Sequence, residues 1–221
     1  KEINGTAVQN YAGDLPGAAD GQLWYNSTAT NFKFQYAATA AAWSTGGNLN
    51  TGRKSLAGSG TQTAALGFGG DTGSLSALTE SYNGSAWTEV NDLQTARSRL
   101  AGAGTNTAAL AFGGDNPTRT ETEIWNGTNW TEVNNLGTGR YLLAGCGTNT
   151  AALGFGGYAP GAPTVNTETW NGTNWTEVNN LNTNRYNLSG AGTNTSAIAI
   201  GGTPAPTGNT ELWNGTNWTV V

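Results

Sequence analysis

Short apolar and polar runs succeed one another along this chain, and the same order of runs returns every 43–45 residues. The segment Thr107–Phe112 (TAALAF) puts Ala108, Leu110 and Phe112 on one face and Ala109 and Ala111 on the other. Both faces are apolar, so a strand here must be covered on both sides. Leu100–Gly104 (LAGAG) ahead of it reads as a strand of small residues. Gly113-Gly114 ends the central strand, a variable loop follows, and Thr122–Trp125 and Asn129–Val133 supply two more strands. Asn126-Gly127 between them predicts a tight hairpin, because both residues tolerate positive φ. The same dipeptide recurs at Asn83-Gly84, Asn171-Gly172 and Asn214-Gly215.

The repeat is carried by named positions. Trp43, Trp87, Trp130, Trp175 and Trp218 are spaced by 44, 43, 45 and 43 residues. Tyr82, Trp125, Trp170 and Trp213 stand five residues before the last four, each preceded two residues earlier by Glu80, Glu123, Glu168 or Glu211. Arg53, Arg97, Arg140 and Arg185 each follow a tryptophan by ten residues. Every arginine is followed by a small-residue stretch and then a glycine pair ending in Gly70, Gly114, Gly157 or Gly202. Four short antiparallel strands per unit at this period predict an all-β protein built as a β-propeller of four-stranded blades. The small-residue strand lies innermost, the apolar strand is sandwiched between blades, and the tryptophans fill the wider space outside.

Four complete units run from about Leu56 to Val221, and Trp43–Arg53 (WSTGGNLNTGR) matches Trp130–Arg140 in phase. Length divided by period predicts five blades, the first one divergent, with strands over Thr6–Tyr11, Gln22–Asn26, Phe32–Tyr36 and Ala40–Ser44. On this reading residues 1–43 form a divergent blade or an attachment hairpin, and residues 44–221 carry the four regular blades.

The combination Gly113-Gly114, Trp125, Trp130 and Arg140, with its equivalents in the other units, resembles the kelch repeat over about residues 44–221. It departs from the usual kelch pattern in following the first aromatic with Asn-Gly. A second resemblance covers Gly21–Trp43 (GQLWYNSTATNFKFQYAATAAAW), which is similar to a hairpin unit of bacteriophage tail-fibre and related virion proteins. That resemblance implies a particle-borne module.

Composition narrows the chemistry. Charged residues are 10% of the chain and the net charge is −5, with nine basic residues dispersed along it. A phosphate-tracking surface needs clustered Lys and Arg, so no nucleic-acid partner is expected. No apolar run is long enough to span a bilayer, so no membrane insertion is expected. The opening residues KEINGTAVQNY lack the apolar core of a secretion signal. The chain has no histidine, which removes Ser-His-Asp and Cys-His arrangements and His-based metal sites. The copper-radical oxidases built on kelch scaffolds need such ligands, so their activity does not carry over. The glutamates at 80, 123, 168 and 211, and a second set at 89, 132 and 177, recur blade by blade, unlike an asymmetric catalytic pair. No catalytic residue, cofactor or metal is expected. Cys146 takes the repeat position of Ser59, Ala103 and Ala191 and reads as a small buried residue.

Candidate ligand contacts remain. Arg53, Arg97, Arg140 and Arg185 lie at one end of the blades, either bonding carbonyls and a glutamate within the scaffold or converging on an anionic ligand. The loops that vary between copies are Asp71–Leu78, Asp115–Thr120, Tyr158–Asn166 and Thr203–Asn209. Variable loops on a constant scaffold are where recognition resides, so Asp71, Asp115 and Tyr158 join the arginines as candidates. The expected function is a non-enzymatic binding or structural propeller on the exterior of a virion. Its expected partners are other virion proteins, further copies of itself, and cell-surface glycans. An extracellular lectin-like propeller is the alternative.

Overall fold

The computed structural model describes residues 10–13, 23–34 and 45–221, apart from 116 and 205–207. All regular structure among them is β, in six sheets. The chain divides into two compact units, Lys1–Thr45 and Gly46–Val221.

The first unit holds a three-stranded sheet of β1 (Asn10–Tyr11), β2 (Leu23–Asn26) and β3 (Asn31–Phe34). Strands β2 and β3 form a hairpin, with Trp24 buried and Tyr25 meeting Phe32 edge-on at 5.2 Å. Strand β1 pairs with β2 in parallel. A blade is an antiparallel meander with each strand turning into the next, and a parallel pair needs a longer crossover instead. The expectation of five blades is therefore corrected: among the described residues there are four regular blades, and the described N-terminal sheet is not a fifth. Trp43 and the strand expected over Ala40–Ser44 lie outside the described residues, as does the start of Thr6–Tyr11.

In the second unit, blade 1 is β4 (Ala57–Thr61), β5 (Ala64–Phe68), β6 (Thr79–Tyr82) and β7 (Trp87–Val90). Blade 2 is β8 (Ala101–Gly104), β9 (Ala109–Phe112), β10 (Thr122–Trp125) and β11 (Trp130–Val133). Blade 3 opens with β12 (Ala144–Gly147) and β13 (Ala152–Phe155). A small ribbon of β14 (Tyr158–Ala159) and β15 (Ala162–Pro163) fills its variable loop, and β16 (Thr167–Trp170) and β17 (Trp175–Val178) complete it. Blade 4 is β18 (Ser189–Gly192), β19 (Ala197–Ile200), β20 (Thr210–Trp213) and β21 (Trp218–Val220). Every blade is an antiparallel meander in chain order. The inner strands adjoin in the order β4, β8, β12, β18, and no comparable contact joins β18 back to β4 among the described residues.

The outer hairpin turns at Asn-Gly as expected, but its cause differs from the expected positive φ at both residues. Trp125 pairs with Trp130, so four residues, Asn126–Asn129, make the loop. Only Gly127 has positive φ, at 93°. The asparagine acts through its side chain instead: Asn126 Oδ1 accepts from the amides of Thr128 and Asn129 at 2.9 Å each. Asn83, Asn171 and Asn214 do the same. The aromatic pairs this loop sets across from each other, such as Trp125 and Trp130, lie 5.0–5.5 Å apart.

One joint ties each blade to the next. The last residue of the central strand, Phe68, Phe112 or Phe155, is fully buried against the following blade. Its ring sits over an inner-strand glycine, Gly102, Gly145 or Gly190, where a Cβ would collide with it. The same ring meets the following blade's outer tryptophan: Phe68 with Trp130 at 4.9 Å, Phe112 with Trp175 at 4.7 Å and Phe155 with Trp218 at 4.9 Å. Each of those indoles donates back across the joint, to Thr79, Thr122 or Thr167 Oγ1. The period-2 alternation read from the sequence thus has a direct cause, since the two faces of each central strand serve two different joints.

Removing the ring or filling its seat should both weaken the array. Phe112→Ala should cost about 3–5 kcal/mol through the cavity it leaves. Gly145→Ala, whose Cβ would come to 2.5 Å from Phe112 Cζ, should cost about 1–3 kcal/mol by overpacking. Urea unfolding followed by tryptophan fluorescence measures both.

Candidate functional site

The four repeat arginines lie in the segments that lead into each inner strand, and their side chains are 0–1% exposed. Arg97 shows the arrangement. Its N–H donates to Ser76 O, and its own C=O accepts from Gly70 N–H, both on blade 1. Its guanidinium enters blade 2, donating to the carbonyls of Gly113, Glu121 and Ala111 and to Glu123 Oε1 at 3.0 Å. Arg53, Arg140 and Arg185 pair in the same way with Glu80, Glu168 and Glu211 at 3.1, 2.8 and 2.8 Å. The second carboxylate oxygen of each glutamate accepts a linker amide, from Asn50, Gln94, Gly137 or Asn182. The arginines therefore point into the blades. Their Nε atoms, also buried, have no partner among the described residues.

Burial dominates the electrostatics of these pairs. It depresses the pKa of Arg53, Arg97 and Arg140, with the paired glutamates opposing the shift. It raises that of Glu123, against the pull of Arg97. Desolvating both charges offsets much of their attraction, so the pair contributes geometry more than net stability. The second glutamate set, Glu89, Glu132 and Glu177, is exposed.

At the same end of the blades, two positions meet in every copy: the residue after the arginine and the residue after the glycine pair. Lys54 pairs with Asp71, Tyr141 with Tyr158 and Tyr186 with Thr203 through backbone bridges, and Asp115 N–H donates to Ser98 O in blade 2. The backbone is constant and the side chains are not. Blades 1 and 2 present Lys–Asp and Ser–Asp, and blades 3 and 4 present Tyr–Tyr and Tyr–Thr. A cleft of about 490 Å³ is lined here by Asp71, Ser98, Arg99, Asp115, Thr118 and Tyr141, among others. In it Ser98 Oγ and Arg99 Nη1 both bond Asp115, at 2.6 and 2.9 Å. The Arg99 guanidinium lies 6.0 Å from the Tyr141 ring centre. Tyr141 continues into an aromatic row, 5.4 Å to Tyr158 and then 5.2 Å edge-on to Tyr186.

Next to the cleft, the second residue after each arginine, Ser55, Arg99, Leu142 or Asn187, is left-handed with φ of 54–55°. That conformation is costly for residues such as Arg99 and Leu142, and less so for Asn187. It is held by a chain of bonds from blade to blade: Asn187 N–H to Leu142 O, Leu142 N–H to Arg99 O and Arg99 N–H to Ser55 O, each 2.8 Å. These residues and the leucines after them line a central depression of about 240 Å³.

Of the candidates read from the sequence, Asp71 and Asp115 thus line one cleft, and Tyr158 stacks on its wall. The arginines at 53, 97, 140 and 185 do not reach it. Lys54, Ser98, Arg99, Tyr141 and Tyr186 went unremarked in the sequence, although the residue directly after each repeat arginine differs in character between copies. Among the described residues no group of three or more Cys, Asp or Glu side chains is placed to hold a metal ion. No helix among them is long and apolar enough to cross a membrane.

Cys146 is buried on the inner strand of blade 3, and desolvation raises its pKa from 9.0 to about 11. The folded thiol should therefore react with a disulfide reagent at pH 8 roughly 100-fold more slowly than the urea-unfolded chain, since the thiolate is the nucleophile. A raised pKa in the fold means that this group's contribution to stability is complete below its unfolded value and is lost as pH rises towards about 11. For the arginines, Arg140→Met should cost about 3–5 kcal/mol because it strands Glu168, and Arg140→Met/Glu168→Leu should regain most of that loss. Chemical denaturation of the two variants makes the comparison. A comparison with protein-family models and with curated protein sequences finds no match.

Proposed function

We propose that this chain is a non-enzymatic recognition module, a kelch-like propeller carried on the exterior of a virus particle, whose loop face binds glycans of the host surface. One observation carries the recognition reading. The two bridged positions at the loop end keep their backbone in all four blades, while their side chains run from charged to aromatic across the face. Tyr141, Tyr158 and Tyr186 offer ring faces on which a pyranose can stack. Asp71, Asp115, Ser98 and Arg99 offer a carboxylate–hydroxyl–guanidinium set for its hydroxyls. A cleft with one aromatic wall and a few convergent polar groups is the usual form of a small-ligand site. The virion assignment is supported by the similarity of Gly21–Trp43 to tail-fibre hairpins, within which β2 and β3 form a hairpin.

Glycan-array screening followed by calorimetry tests the recognition step. The chain should bind an oligosaccharide, and Tyr158→Ala and Asp115→Asn should each weaken binding about 10-fold, or 1.4 kcal/mol, with unchanged melting temperature. Absence of binding to any glycan at about 1 mM, a free energy near −4 kcal/mol, would overturn it. Mass spectrometry of purified particles tests the location: glycan binding by a chain missing from every particle would leave an extracellular lectin-like propeller as the reading.

A further inference from the structure

The array has two ends, and among the described residues each carries one unused half of the joint that ties consecutive blades together. On blade 4 the far face holds Ile198, Ile200, Thr210 and Leu212, paired across β19 and β20. Ile200 occupies the place of Phe68, Phe112 and Phe155. Those rings are 0% exposed, whereas Ile200 is 45% exposed and Leu212 beside it 43%. Thr210 stands where Thr79, Thr122 and Thr167 accept an indole N–H, and here it receives none among the described residues. Asn187 O and Gly202 N–H likewise lack the partners that their equivalents have in blades 1–3.

The near face of blade 1 is the complement. Gly58 occupies the place of Gly102, Gly145 and Gly190, yet among the described residues no aromatic ring lies over it. Trp87, the equivalent of Trp130, Trp175 and Trp218, is half-buried, and its indole N–H has no acceptor among the described residues. With Leu56, Gly58, Ala65 and Gly67 it lines a groove of about 390 Å³. Leu49 is half-exposed, whereas its equivalents Leu93, Leu136 and Leu181 are buried and donate an N–H to the preceding blade. Ser55 N–H and Arg53 C=O have no backbone partner among the described residues, and these are the two groups that Asn187 O and Gly202 N–H would meet.

We propose that the chain joins end to end with a second copy of itself, the far face of blade 4 in one copy packing on the near face of blade 1 in the next. The three joints inside the chain specify the occupant. Ile200 enters the Gly58–Trp87 groove, Trp87 donates to Thr210, and the blade-to-blade bond chain continues from Ser55 N–H to Asn187 O. The contact is heterologous, so it closes into a ring where the rotation allows and extends into a filament where it does not. Repeat proteins whose ends stay free carry terminal units with polar outer faces. Both ends of this array instead keep the apolar, glycine-lined character of an internal joint. The proposal stands apart from glycan recognition, which uses the loop end of the blades.

Sedimentation velocity on the whole chain tests it. The wild type should associate over about 1–100 µM, the range of a micromolar contact. Ile200→Asp and Gly58→Asp should each be monomeric across that range, with wild-type circular dichroism. Mixed in equal amounts, the two variants should form a one-to-one dimer, because each brings the intact face that the other lacks. Leu212→Asp, at an exposed position, provides a second break in the blade 4 face should Gly58→Asp fold poorly. A wild-type monomer at the top of the range, or association undiminished by Ile200→Asp and Leu212→Asp, would overturn the proposal.

Discussion

Everything in the four-blade unit follows from a sheet too small to bury itself. A central strand of four residues such as Ala109–Phe112 is apolar on both faces and fully buried, so each blade depends on a neighbour on either side. The phenylalanine–glycine–tryptophan contact supplies the apolar part of that cover, and its fit requires an inner-strand residue without a Cβ. The arginine segment supplies the polar part. Its backbone belongs to one blade and its side chain to the next, so neither blade can rotate without breaking buried hydrogen bonds. Because burial works against both charges of the ion pair, its value lies in fixing how blades meet.

Much of this was legible in the chain because it repeats. The position of Phe112 on a two-sided strand, the phase of the arginines and their choice of carbonyls or a glutamate as partners all follow from period and residue chemistry. The divergent segment was less legible. Its strands at Leu23–Asn26 and Asn31–Phe34 overlap the expected Gln22–Asn26 and Phe32–Tyr36, but the residue pattern says nothing about the parallel pairing of β1, which makes the sheet something other than a blade. The Asn-Gly turns were legible in place but not in cause. Two turn geometries share that dipeptide, and the choice here rests on Asn126 Oδ1 capping two amides that lie beyond it. The pairing of Tyr141 with Tyr158 joins residues from two segments of blade 3 separated by the whole inner hairpin, and strand periodicity carries no information across that distance.

The structure also separates what must stay constant from what is free to change. At the residues after the arginine and after the glycine pair, the backbone contact recurs in all four blades with quite different side-chain pairs above it, so the fold accepts more than one pair there. Function placed at such positions can vary without disturbing the joint beneath them. The resulting face is asymmetric. Lys54, Asp71, Ser98 and Asp115 make one side polar and charged, and Tyr141, Tyr158 and Tyr186 make the other aromatic. Four equivalent weak sites, one per blade, would need the same residues at each position, and this array does not have them. For the recognition function proposed above, a single extended ligand that crosses from the polar blades to the aromatic ones matches the arrangement better, and it would gain its affinity from one composite surface rather than from avidity among copies of a site.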